Sequence, residues 1–308
     1  MSELRQSLGD YLTIRRSLGF KLTRTGLLLA DFVAYAEHGG ADVVTTELAF
    51  NWATLPSGAD AAWWAQRLGV VRGFARHLHA IDPAHEVPPT DLIVGRSRRA
   101  TPYPYSAADI DALITAAGSF RSPLRVCTYE TLVGLLAATG MRVGEAIGLD
   151  RSDIDWDNGL VVITDTKFGK RRQVPLHLTT VDALASYARR RDQLCARPRD
   201  PSFFVSTAGT RLRYCNVHKA WLELVRRAGL ERLSATCRPR PHDLRHRFAV
   251  NTLIGWYRDG VDVQARLPLL STYLGHTHPG STYWYLSAAP ELLSLTVRRL
   301  DAAQGATP

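Results

Sequence analysis

Five prolines fall between residues 83 and 104 (Pro83, Pro88, Pro89, Pro102 and Pro104). Each lacks a backbone N–H and fixes φ, so neither a regular helix nor an interior strand can run through the segment. The chain must therefore fold as two bodies joined by an extended connector. With 308 residues it is long enough for both to have ordinary cores. We set the boundaries at 1–86 for a first domain, 87–104 for the connector and 105–308 for a second, larger domain. The connector is also basic, with Arg96, Arg98 and Arg99 between its prolines.

The two bodies differ in pattern. In the first, Leu4, Leu8, Tyr11 and Leu12, then Leu27, Leu28, Phe32, Tyr35 and Ala36, recur at helical spacing. Thr45 or Thr46 is placed to cap a third helix, which Pro56-Ser57-Gly58 ends. A longer helix follows, with Trp63, Trp64, Leu68, Val71, Phe74 and Leu78 on one broad apolar face and Arg67, Arg72 and Arg76 opposite. The second body opens with Ser106 and Asp109 at capping-box spacing. A helix from about 124 to 139 is apolar nearly all round and ends at Gly140. The only β-patterned stretches are Gly159–Thr164, Gln173–Leu176 and a short run at Phe203-Phe204-Val205. Helices are expected again over 180–195, 216–229, 242–258 and 266–274, then from about Ser281, with an amphipathic tail over Pro290–Leu300. The expected fold class is mainly α with a small antiparallel β-sheet in the second domain.

Charge narrows the partners. The formal net charge is +9, yet residues 1–86 carry 8 Lys/Arg against 9 Asp/Glu, and the remaining 30 basic and 20 acidic residues lie beyond them. The excess is mostly arginine, whose planar fork matches phosphate oxygens. It points to a polyanion such as double-stranded DNA. Four scattered cysteines, an opening MSELRQS without an apolar signal region, and no apolar run of membrane-spanning length lead us to expect a cytoplasmic protein with reduced thiols and no membrane partner.

One constellation carries chemistry. Arg142 sits in Thr139-Gly-Met-Arg142-Val-Gly-Glu145. Lys167 lies in a basic turn, Asp165–Arg172, between the two longer strands. His242 and Arg245 form a His-x-x-Arg pair, His276 ends Leu274-Gly275-His276, and Tyr285 follows nine residues later. Taken singly, each has an ordinary explanation in packing or solvation. Together they supply what a phosphodiester requires. Tyr285 can attack phosphorus, and Arg142 and Arg245 can hold the equatorial oxygens. His242 can handle a proton, His276 can add a donor, and Lys167, with Lys170 as the fallback, can protonate the leaving oxygen. A covalent tyrosine ester conserves the bond energy, so no ATP is called for, and no Walker motif occurs. Tyr283 is the second choice for the nucleophile. His242-x-x-x-His246 has the spacing of a helical zinc pair, but residue 243 is Asp where a zinc protease needs Glu. We expect no metal and no cofactor.

The order and content of these boxes resemble the tyrosine recombinase (phage integrase) family. The resemblance is carried by Thr139–Leu149, by Lys167 ahead of Val174-Pro-Leu176, by Pro241-His242-Asp-Leu-Arg245-His246, by Leu274-Gly275-His276 and by Tyr285, over residues 105–300. The approach to the tyrosine, His278-Pro279-Gly280, and the stretch from Trp256 to Pro268 depart from the family pattern. The resemblance implies a C-shaped two-domain DNA clamp whose helical first domain binds the core site. It implies catalytic roles for Arg142, Lys167, His242, Arg245, His276 and Tyr285, and a covalent 3′-phosphotyrosine. It also implies a homo-tetramer on paired sites, alone or with other recombinases, with the tail from Pro290 docking on a neighbouring subunit or on its own domain. A simple site-specific recombinase or mobile-element transposase is the expected activity. A type IB-like topoisomerase and a non-catalytic DNA-binding relative are the alternatives. Arg96, Arg98, Arg99, Lys170, Arg171 and Arg172 are the expected phosphate-backbone contacts.

Overall fold

The computed structural model describes residues 2–95, 100–164, 171–276, 278 and 280–287. Arg96, Arg98, Arg99, Lys167, Lys170 and the tail from Pro290 lie outside the described residues. The chain divides into two compact units, Met1–Arg99 and Ala100–Pro308. None of the described helices is long and apolar enough to cross a membrane.

The first unit is all helical: α1 (Glu3–Ser17), α2 (Thr23–His38), α3 (Thr46–Thr54) and α4 (Ala61–His79). The starts of three are written in short polar side chains. Ser2, Thr45 and Asp60 each accept a hydrogen bond from the backbone N–H three residues on, satisfying donors that a helix start leaves open. Leu8, Leu29, Phe32, Trp52, Leu68, Phe74 and Leu78 form the core. Arg67, which the periodicity assigns to the polar face of α4, is instead buried. Its Nη2 donates to the Trp52 carbonyl at 2.8 Å and its guanidinium lies 3.7 Å from the Trp52 ring centroid. The long stem packs as hydrocarbon while a carbonyl and a π face take up the charged head. Arg72 donates to the carbonyls of Pro88 and Pro89 at 2.7 and 2.6 Å, holding these connector prolines against α4.

The second unit is organised on α6 (Pro123–Thr139), which packs against α5 (Ala107–Ala117), α8 (Leu178–Leu194) and α10 (Pro241–Arg258). Its burial on most sides explains the missing polar stripe: Leu124, Cys127, Leu132, Val133, Leu135 and Leu136 are all inside. Ser106 and Asp109 close the capping box on α5. Three strands, β1 (Ile154–Asp155), β2 (Leu160–Ile163) and β3 (Arg172–Pro175), make an antiparallel sheet in the order β1-β2-β3, with Val161 opposite Val174. β1 is too short to leave a pattern in the sequence. The run Phe203-Phe204-Val205 is buried but is no strand. It joins the fold through isolated bridges, Asp150 with Ser202 and Val205 with Arg211, and packs its rings on Tyr187. Aromatic content marked burial there rather than a ladder. Tyr103 and Tyr105, at the far end of the connector, are buried in this core. The remaining helices are α7 (Val143–Gly148), α9 (Tyr214–Arg227), α11 (Val263–Leu274) and α12 (Gly280–Ser287).

Candidate active site

Arg142 is delivered by the way α6 stops. Gly140 takes the left-handed conformation at φ 61°, which L residues with a side chain resist. A Cβ at this position would lie 2.7 Å from a ring carbon of Phe248 on α10. The turn therefore needs glycine twice, for its backbone angle and for the close approach of α10. Arg142 then occupies the N-cap of α7, with its N–H donating to Glu145 Oε2 at 2.9 Å and its Nη1 to Glu145 Oε1 at 2.7 Å. At the other end of α7, Arg211 donates to the carbonyls of Ile147, Gly148 and Leu149 at 3.2, 2.5 and 3.3 Å and pairs with Asp150. This short helix is held at both termini, so the arginine at its start has a fixed base.

The first turn of α10 supplies the next two groups. Asp243 is buried and chelated by Arg240 at 3.0 and 2.7 Å, which anchors that turn. Two residues on, Arg245 is also buried. Its Nη1 donates to the Gly140 carbonyl at 2.9 Å and its Nη2 to the Leu274 carbonyl at 2.5 Å. It thus ties the end of α6 to the end of α11. Burial and the neighbouring Arg142 push its pKa down to about 10, against the opposing pull of Tyr285 and Glu145, which leaves it cationic at neutral pH. The His242 ring reaches solvent but is crowded by protein on its other sides. That partial desolvation, then Arg245, lowers its pKa despite Asp243.

α11 ends at Gly275, again left-handed, with φ 66°. The chain turns there and presents His276, whose Nδ1 is 2.7 Å from Thr282 Oγ1 on α12. Burial, followed by Arg245, Arg142, Arg172 and His242, pushes the His276 pKa down to about 4. Its ring stacks on Tyr285 at a centroid distance of 5.9 Å, and His246 meets Tyr285 from another side at 5.2 Å. Tyr285 is only 5% exposed and lies close enough to Arg245 to pull the pKa of that guanidinium upward. Tyr283, the second choice for a nucleophile, is 56% exposed and turned to solvent.

Arg142, His242, Arg245, His276 and Tyr285 therefore converge from the ends of α6, α10, α11 and α12. The lysine assigned to the leaving group, Lys167, and its fallback Lys170 fall outside the described residues. Of the expected phosphate contacts, Arg171 is exposed. Arg172 requires a correction. Its side chain is 9% exposed and its fork is bidentate to Glu145, at 2.9 and 2.7 Å. A basic cluster in sequence reads as surface, but β3 turns this member inward.

Sequence reasoning did not assign roles to Glu145, Thr282 or His246. Glu145 had a signal: it stands three residues after the N-cap Arg142, the position from which a carboxylate returns to the cap N–H. Burial would raise its pKa. Hydrogen bonding and charge from Arg172, then Arg142, outweigh burial and hold it at about 2. Thr282 meets His276 from the start of α12, and His246 meets Tyr285 from α10; neither pairing follows a helical or strand spacing that the sequence would show.

The phage integrase family model matches residues 106–291. The Sinorhizobium fredii protein y4rB, named an integrase/recombinase, is 45% identical over 307 residues and covers 98% of both chains. Tyrosine recombinase XerD of Mycobacterium tuberculosis (strain H37Rv) is 34% identical over 232 residues, covering 72% of this chain and 68% of that one. Among solved structures, the Tn1549 transposon integrase in complex with transposon right end DNA shares the fold at a TM-score of 0.66. It is 17% identical and covers 98% of this chain and all of that one.

Proposed function

The chain belongs to the phage integrase family, the tyrosine recombinases, and from that premise we propose how its residues break and rejoin DNA. It is a site-specific recombinase. Tyr285 Oη gives up its proton to neutral His242 and attacks a backbone phosphorus. The P–O5′ bond breaks, a 3′-phosphotyrosine forms, and the leaving O5′ takes a proton from Lys167 to become a free hydroxyl. Rejoining runs the same steps in reverse, with a 5′-hydroxyl from either strand as the nucleophile, so no external energy is required.

One observation carries the reading above the others: buried Arg245 lies beside Tyr285, and Arg142, held at Glu145 and Gly275, is a charged neighbour of Arg245. Two guanidiniums at the nucleophile match the charge that builds on the non-bridging oxygens, and each such donor is typically worth about a hundredfold or more in rate. His242 and His276, both with lowered pKa values, are neutral at neutral pH until a phosphate arrives. They then serve as hydrogen-bond donors without adding to cation repulsion in the empty site. Arg171, and Arg96, Arg98 and Arg99 of the connector, are proposed contacts to the DNA backbone. A homo-tetramer on two paired sites is the proposed working assembly, and a mobile element is the proposed substrate context.

The test is a nicked suicide substrate carrying the cognate site. Wild-type protein is expected to accumulate as a covalent adduct through Tyr285, and Tyr285→Phe to give none. An adduct of undiminished yield from Tyr285→Phe would overturn the assignment. Lys167 is tested separately with a 5′-bridging sulfur at the scissile phosphate. A thiolate leaves without a proton, since a thiol ionises at about pH 8.5. Lys167→Ala should therefore recover cleavage on the sulfur substrate and remain slow on the oxygen one.

A further inference from the structure

Three consecutive carbonyls at the end of α11 each accept from a different arginine. Tyr273 O takes Arg172 Nε at 3.0 Å, Leu274 O takes Arg245 Nη2 at 2.5 Å, and Gly275 O takes Arg142 Nη2 at 3.1 Å. These carbonyls are the open acceptors that a helix C-terminus leaves, and they carry its partial negative charge. Two of the three arginines are the proposed phosphate clamps. The third, Arg172, differs from them. Its Nη1 and Nη2 are taken by the two oxygens of Glu145 and its Nε by Tyr273, so none of its three nitrogens is without a protein acceptor.

Glu145 is where Arg172 and Arg142 compete. The carboxylate is buried at 8% exposure, and both arginines reach it. Arg172 takes the bidentate place, and Arg142 binds one oxygen through Nη1 alone while its side chain stays 40% exposed. A buried carboxylate with one arginine left would draw that arginine into the bidentate geometry, because fork-to-fork pairing is the strongest arrangement open to it. Arg142 would then rotate away from the phosphate.

We propose that Arg172 is a positioning residue. By taking both oxygens of Glu145 it keeps the Arg142 guanidinium to one contact there, with Nη2 on Gly275 O, and so aimed at the scissile phosphate; by binding Tyr273 O it fixes the turn that presents His276. Gly275 belongs to the same device: a Cβ there would lie 2.6 Å from Arg172 Nη1. This rests on the reading that Arg142 grips phosphate, and Arg142→Ala in the same assay tests that reading by itself.

The experiment measures single-turnover covalent adduct formation at saturating DNA, with DNA half-saturation determined in parallel. Arg172→Ala is expected to slow adduct formation by about tenfold to a hundredfold, the usual consequence of misplacing one catalytic donor by about an ångström. Half-saturation should move less than about threefold, because a residue without free donors makes no phosphate contact. The decisive comparison adds Glu145→Gln. A neutral amide no longer captures Arg142, so the double variant should react faster than Arg172→Ala alone. It also removes the poorly compensated buried charge, so it should fold even where the single variant does not, and it is then compared with Glu145→Gln alone, which it should match within about threefold. A double variant slower than both single variants, an Arg172→Ala protein reacting at the wild-type rate, or a loss confined to DNA affinity would each overturn the proposal. If Arg142→Ala reacts like wild type, the phosphate-grip reading fails instead.

Discussion

Glu145 is the pivot at the residue scale, because it is the acidic group that Arg142 and Arg172 share. Its pKa is about 2, against an ordinary value of 4.5. A depressed carboxylate contributes stability that is complete above the unfolded value and is lost as pH falls through the folded one. Urea unfolding of wild type and Glu145→Gln should therefore diverge most above about pH 5 and converge toward about pH 2. A gap independent of pH would mean that the ion pairs with Arg142 and Arg172 contribute little. The His276 contribution is lost in the same direction, although the form that the fold favours is the neutral one. Its neutral ring is favoured by the fold, so its contribution is present above the ordinary value of 6.5 and declines as pH drops from there to about 4. A phosphate bound at the arginines cancels their repulsion and raises this pKa. Calorimetry in buffers of different ionisation enthalpy should then register proton uptake on DNA binding at about pH 6, vanishing near about pH 8 and reduced in His276→Asn. Equal uptake in wild type and His276→Asn would remove His276 from the phosphate.

Helix ends do most of the positioning at the element scale. Gly140→Ala should lower stability by about 2 kcal/mol or more, since the left-handed angle alone costs roughly 1–2 kcal/mol for a residue with a Cβ. Phe248 must also give way. Activity measured per folded molecule should fall as well, because Gly140 O anchors Arg245; unchanged chevron arms and rates would contradict the packing described above. This is also the scale at which the sequence was most and least legible. α6 could be read because burial on most sides leaves no polar stripe, and its glycine stop is local chemistry. The order of the boxes identified Arg142, His242, Arg245, His276 and Tyr285 as candidates because each lies in a short recognisable run. Arg67 and Arg172 were misread as surface residues because what draws them inward, the Trp52 ring and carbonyl or the Glu145 carboxylate, is 15 and 27 residues away in sequence. Phe203–Val205 was misread because aromatic residues signal burial as strongly as they signal a strand.

The two units of the whole molecule differ in charge and each owns a core. The first buries Leu4, Phe32, Trp52, Leu68 and Phe74 among themselves, so a fragment of residues 1–99 should be helical and melt cooperatively by circular dichroism. A featureless melt would show that its core needs the rest of the chain. Residues 100–308 carry 27 Lys/Arg against 19 Asp/Glu, whereas residues 1–99 carry 11 against 10. A fragment from residue 100 onward should therefore retain most of the salt dependence of DNA binding, because the slope counts neutralised phosphates. A slope carried equally by the 1–99 fragment would place the main backbone contacts in the helical unit instead.

The arginine-to-carbonyl contacts at Tyr273, Leu274 and Gly275 also bear on how this protein can be altered. Their acceptors are main-chain atoms, which every amino acid provides, so an alanine scan across residues 273 and 274 would pass over them without registering their contribution. Random mutagenesis reaches these contacts only from the arginine side, and variants selected for new target sites that keep the three arginines would inherit them unchanged. On the acceptor side, only chemistry that edits the backbone reaches them. Amide-to-ester replacement at residues 274, 275 and 276, made by semisynthesis, weakens one carbonyl at a time and would show how much of the guanidinium alignment each supports.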